Sequence, residues 1–176
     1  MIDQNLLTQS VTDAVTEVFS TMLDLTVEFN GLAKGDPAES SGIISLIGIT
    51  GDWAGAGIFC CSPSLAGTIC ARMLGMEVKE NPAIDEEVMD VVAEVNNMVV
   101  GNIKNALEPV TGPLAISVPT VIHGRNFHFR NTSEADYANL VFTTEGEKFQ
   151  IRVSLSPNTE PKQGHSRIPV LGMAHF

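Results

Sequence analysis

A chain of 176 residues, 44% hydrophobic and 18% charged, is long enough for one packed domain and too apolar for wholesale disorder. Its 21 Asp and Glu against 10 Lys and Arg leave a formal net charge of −11, which disfavours nucleic acid and anionic membrane as partners. Three cysteines, two of them adjacent, make no disulfide framework; the first seven residues do not read as a signal peptide, and no apolar run reaches membrane-spanning length, so a cytoplasmic protein is expected.

Residues 2–22 repeat apolar side chains at three- and four-residue steps (Leu6, Leu7, Val11, Ala14, Val15, Val18, Phe19) and predict an amphipathic helix. Leu23, Leu25, Val27 and Phe29 then alternate as in a strand, before a polar, Gly/Ser-rich loop over 31–42. Residues 43–49 and 57–61 flank Gly51-Asp52-Trp53-Ala54-Gly55 as a β-hairpin. Ser62-Pro63 supplies an N-cap and a first-turn proline for a short helix ending at Leu74, before Gly75. The longest helix starts at Asp85-Glu86-Glu87, where carboxylates favour a helix amino end, and is expected to stop near Leu107 because of Pro109. Four strands are expected beyond it, over 114–122, 126–130, 137–144 and 148–155, the last two joined at Glu145-Gly146-Glu147. The folded domain is expected to span residues 1–156, with residues 157–176 as a flexible tail rich in Pro, Asn, Gly and Gln.

Two segments echo one another. Asp13, Val15, Glu17 and Val18 in the first helix have the same order and spacing as Asp90, Val92, Glu94 and Val95 in the long one, and Ser20 stands where Asn97 stands. Each helix precedes strands that end in Ser-Pro, at Ser62-Pro63 and Ser156-Pro157. A degenerate duplication predicts an α/β (α+β) fold: one mainly antiparallel sheet, two long helices on one face, and a pseudo-twofold internal repeat. Two similar amphipathic helices matching by chance is the alternative.

The long helix has two stripes. Val88, Val92, Val95, Val99, Ile103 and Ala106 make the apolar one, and Glu87, Asp90, Glu94, Asn97, Gly101 and Lys104 project together on the other side. A polar stripe is ordinarily a solvated face, but Asn96, Asn97, Gly101 and Asn102 are all poor helix formers placed within an otherwise strong helix. Such overrides of local propensity tend to mark functional sites.

The string from Glu94 to Asn102, with Asp90 four residues before Glu94, Asn97 three after it and Pro119 about twenty further on, resembles the signature of the CheC/CheX/FliY family of chemotaxis phosphatases, in particular its single-site CheX type. The resemblance covers most of residues 2–156 in element order. It implies a cytoplasmic phosphatase that hydrolyses the aspartyl phosphate of a CheY-type response regulator, with Asn97 orienting the attacking water and Glu94 pairing with a lysine of the regulator. Asp90, Gly101 and Asn102 are the further docking candidates, Asp90 and Asn102 also being suited to local hydrogen bonds and Gly101 to close helix packing. Mg²⁺ is expected on the regulator, no cofactor or metal on this chain, and a homodimer formed by sheet extension. A non-catalytic regulator-binding module of flagellar-switch type is the alternative; a purely structural dimerisation domain is a third reading.

The remaining chemistry-bearing residues point elsewhere. His123 and His128 have no cysteine or carboxylate at metal-ligand spacing, and Gly51 to Gly57 lacks the Lys-Ser/Thr of a phosphate loop. Cys60 and Cys61 read as neighbouring strand residues on opposite faces, and Cys70 as a core residue of the short helix with Ala66, Ile69 and Met73.

Overall fold

Asp3 opens helix α1 (Gln4–Leu23) by accepting hydrogen bonds from the backbone N–H groups of Asn5 and Leu6 at 2.7 and 3.1 Å, in a computed structural model that describes residues 2–33, 40–127 and 136–158. Its apolar stripe, from Leu7 through Phe19 to Leu23, is buried as the periodicity predicts. The helix stops where Asp24 takes a left-handed conformation, φ 52°. The alternation over 23–29 therefore belongs to three states. Leu23 closes the helix, Leu25 and Val27 lie in the link that follows, Leu25 buried and Val27 packed against the core, and hydrogen-bonded strand β1 begins only at Glu28 (Glu28–Leu32).

Strands β2 (Ser40–Gly51) and β3 (Trp53–Cys61) form the expected hairpin, turned more tightly than the glycine spacing suggests, with Ile49 already paired to Gly55. Ser62 caps α2 (Pro63–Leu74) by accepting from Leu65 N–H at 3.0 Å, and Gly75 at φ 66° ends it. Asp85 caps α3 (Glu86–Thr111) by accepting from Val88 N–H at 3.1 Å. This helix runs four residues past the expected end. Pro109 sits in the last turns, where its missing N–H removes one bond, and Gly112 N–H to the Glu108 carbonyl (3.0 Å) closes the terminus. Burial follows the 3.6-residue period from Ile103 to Leu107, so Ala106, expected inside, is exposed.

The strand expected over 114–122 is two strands, β4 (Leu114–Ile116) and β5 (Thr120–Phe127), both paired to β2. Between them Ser117 N–H donates to the Gly48 carbonyl and Gly48 N–H donates to Ser117 Oγ, each at 2.9 Å, so a hydroxyl takes a carbonyl's place in the ladder. Pro119, with no N–H to offer, belongs to that interruption. Asn126 and Phe127 end β5 instead of opening a strand, and 128–130 lie outside the described residues, as does His128. Strands β6 (Asp136–Thr144) and β7 (Glu147–Pro157) turn at Glu145 and Gly146, both at positive φ, as expected of a tight hairpin. Strand β7 reaches one residue past the expected domain end; residues 159–176 lie outside the described part.

All pairings are antiparallel, in the order β1-β6-β7-β3-β2, with β4 and β5 on the far edge of β2. The helices pack on one face of this sheet, over a core in which the Phe19 ring stacks on Phe149 at 4.7 Å and Phe142 on Phe149 at 5.3 Å. Gly57 in β3 lets α3 approach, since a Cβ there would stand 2.4 Å from Val100 Cγ2. The α+β class, the antiparallel sheet and the two long helices on one face are thus as the sequence predicts. The strand order also reads the same from either edge when β1 is exchanged with β4/β5, β2 with β6 and β3 with β7. That is the topology a duplication gives; common descent of the halves stays a proposal.

Candidate functional site

Successive helix residues point about 100° apart, so neighbouring asparagines on α3 face different worlds. Asn96 is fully buried and donates through Nδ2 to the Ser45 carbonyl at 3.0 Å and to Ser45 Oγ at 3.1 Å, tying the middle of α3 to β2. Its Oδ1 has no partner inside the core. Asn96 is therefore an anchor of the helix and not part of the outward row. The signal was in the spacing: position 96 is four beyond Val92 and four before Val100, on the buried stripe.

Asn97 is half-buried on the outer side, and Glu94 and Asp90, one and two turns back, are exposed. No hydrogen bond or ion pair ties the side chain of any of the three to another described residue, so their side-chain acceptors and donors are unspent. The three lie on successive turns of a long, capped helix, which holds them in a fixed row. Glu94 and Asp90 also line a shallow hollow with Met73, Glu86, Glu87 and Val91, where the end of α2 meets the first turns of α3. At Gly101 a Cβ would meet nothing within 4 Å, so close helix packing does not explain this glycine, and the surface beside Asn97 is open there. Asn102 stands apart from the row: its Nδ2 donates to Glu17 on α1 at 3.3 Å. It joins the two long helices.

The cysteines offer no competing nucleophile. Burial pushes the Cys60 thiol up to about 11, against the nearby Arg152 guanidinium, which pulls the other way. Burial raises Cys61 further still, with Cys60 and Glu147 adding to it, and raises Cys70, with the carboxylates of Glu87 and Asp85 adding to it. Thiols so placed stay protonated at neutral pH and are poor nucleophiles. Among the described residues no group of three His, Cys, Asp or Glu could hold a metal ion, and no helix is long and apolar enough to cross a membrane.

A mainly antiparallel sheet under two long helices, with an acid and an amide one turn apart on the outer side of the second, defines a CheC-like domain. A solved CheC-like superfamily protein from Shewanella sp. PV-4 superposes with a TM-score of 0.75 at 26% identity, over 88% of this chain and 99% of that one. The chain belongs to the CheX family: the family model of chemotaxis phosphatase CheX matches residues 43–143, from β2 through all of α3 to β6. The CheY-P phosphatase CheX of Thermotoga maritima is 30% identical over 90 residues, which are 51% of this chain and 56% of that protein, little more than half its length. The fold is shared, at 21% identity and a TM-score of 0.72, with the Borrelia burgdorferi CheX–CheY–BeF3–Mg²⁺ complex, over 88% of this chain and 99% of that one.

Proposed function

We propose that the protein hydrolyses the aspartyl phosphate of a phosphorylated CheY-type response regulator. The observation that carries this reading is the placing of Glu94 and Asn97 one turn apart on an outward helix face where neither side chain is engaged by another described residue. An acyl phosphate loses a carboxylate, a leaving group that departs without strong acid assistance, so the catalyst's main task is to hold water in line with phosphorus. A carboxamide suits that task because it accepts one hydrogen bond from the water and donates another without ionising. In this reading Asn97 orients the water, and Glu94 pairs with a lysine of the regulator and keeps the two proteins in register. Asp90 adds negative charge to the same row, and the gap left by Gly101 admits the partner's backbone. Mg²⁺ belongs to the regulator, where it neutralises phosphoryl charge.

Support comes from the family match, from the Thermotoga relative named a CheY-P phosphatase, and from the Borrelia relative solved with CheY, BeF3 and Mg²⁺. Cytoplasmic location follows from such a partner. A homodimer is expected through an outer sheet edge, with β1 and β5 as the terminal strands. The experiment is phosphate release from a CheY-type regulator phosphorylated with a small-molecule donor. The wild-type protein is expected to accelerate release at substoichiometric amounts. A protein that binds the regulator without accelerating release is a docking module, and the phosphatase reading then fails.

A further inference from the structure

Beside the acidic row lies an apolar ridge that the row does not explain. Leu74, Met76 and Val78 are 45, 50 and 50% exposed within five residues of chain. They are held out by well-defined local structure. Gly75 N–H and Met76 N–H close α2 on the carbonyls of Arg72 and Ala71 at 3.4 and 2.8 Å, and Pro82 returns to pack on Gly67, where a Cβ would meet its ring at 2.3 Å. The ridge continues into the site. Met76 lines one hollow with Glu87, Met73 lines the next with Glu87, Asp90 and Glu94, and Glu87 is the wall between them.

We infer that this ridge is the second half of the regulator-docking surface, seating an apolar patch of the phosphorylated regulator while the α3 carboxylates receive the basic groups around it. The inference rests on the proposed function and adds to it where the partner's binding energy comes from. Charge selects the occupant. Between Gly75 and Glu94 stand Glu77, Glu80, Asp85, Glu86, Glu87, Asp90 and Glu94 against Lys79 alone, so a second copy of the same surface would bring like charges face to face, whereas a basic rim is attracted. An apolar centre bordered by charge is the arrangement in which a few side chains supply most of an interface's affinity, and methionine adapts its shape to a partner.

The test reads KM and kcat for phosphate release, and the Kd for the same regulator loaded with Mg²⁺ and BeF3 as a phosphoryl mimic. Met76→Asp with Val78→Asp is expected to raise KM and Kd by about 10- to 100-fold, with the loss in binding and not in kcat. The uncharged pair Met76→Ser with Val78→Ser is expected to give about a tenfold rise, which separates lost apolar contact from the cost of burying a charge against it. Wild-type KM and Kd in both pairs would overturn the ridge and leave the phosphatase standing. A wild-type protein that neither turns over nor binds the regulator overturns both readings. A dimer that either pair dissociates assigns the ridge to a second copy and overturns the inference.

Discussion

The two long helices carry the same pattern and spend it differently. On α1, Asp13 accepts from Gln9 Nε2 at 2.7 Å, Glu17 accepts from Asn102, and Ser20 Oγ donates to the carbonyl of Glu17 in its own helix at 3.1 Å. On α3, the side chains of Asp90, Glu94 and Asn97 have no such partners among the described residues. The inward positions differ too: where α1 buries Phe19 in the aromatic stack, α3 buries Asn96 against Ser45. A helix face becomes a site when its polar groups are held in place and left unsatisfied. The α1 face has settled its hydrogen bonds within the chain.

Substitutions on the two helices break or sharpen that contrast. The largest effect is expected for Asn97→Ala, a fall of about 10²-fold in the rate of catalysed phosphate release, at unchanged melting temperature, because water is no longer held in line. Asn96→Ala is expected to cost about 2 kcal/mol of folding stability, read as a lower denaturant midpoint, because it strips two hydrogen bonds from the buried Ser45 and leaves a void. If instead Asn96→Ala abolished turnover without loss of stability, the division of labour between the adjacent asparagines would be wrong.

Glu94→Ala should weaken binding of the phosphorylated regulator about tenfold, an effect that shrinks as salt rises; an unaltered affinity would remove its docking role. Ser20→Asn in an Asn97→Ala background places an amide at the corresponding point of α1, and is expected to restore less than about twofold of activity, since Glu17 is already held by Asn102. Substantial rescue would show the α1 face to be a latent site. Smallest, Asn102→Ala should cost about 0.5 kcal/mol or less, because its bond to Glu17 is long and exposed.

Much of this was legible from residues three and four apart. The Ser62 cap, the acidic start of α3 at Asp85, the hairpin turn at Glu145-Gly146 and the row Asp90, Glu94, Asn97 all follow from local spacing, and each stands where that spacing puts it. The misses have two causes. Pro109 was tolerated because it falls near a helix end, and the strand over 114–122 split because Ser117 and Pro119 meet Gly48 on a strand far behind them. Asn96 sits on the buried period yet was not read as an anchor, and the bond from Asn102 to Glu17 has no signal in local spacing.

The sequence by itself determined the three helices, the two tight hairpins, the acidic surplus and the placing of acid and amide on one helix face, because these depend on period, capping and composition. Only the tertiary structure decided what the asparagines bond, Asn96 as anchor and Asn102 as link, because that rests on partners far along the chain. Asn96 meets Ser45 across 51 residues and Asn102 meets Glu17 across 85. The same packing set the apolar ridge at Met76 beside the carboxylates of α3, bringing the end of one helix against the start of another.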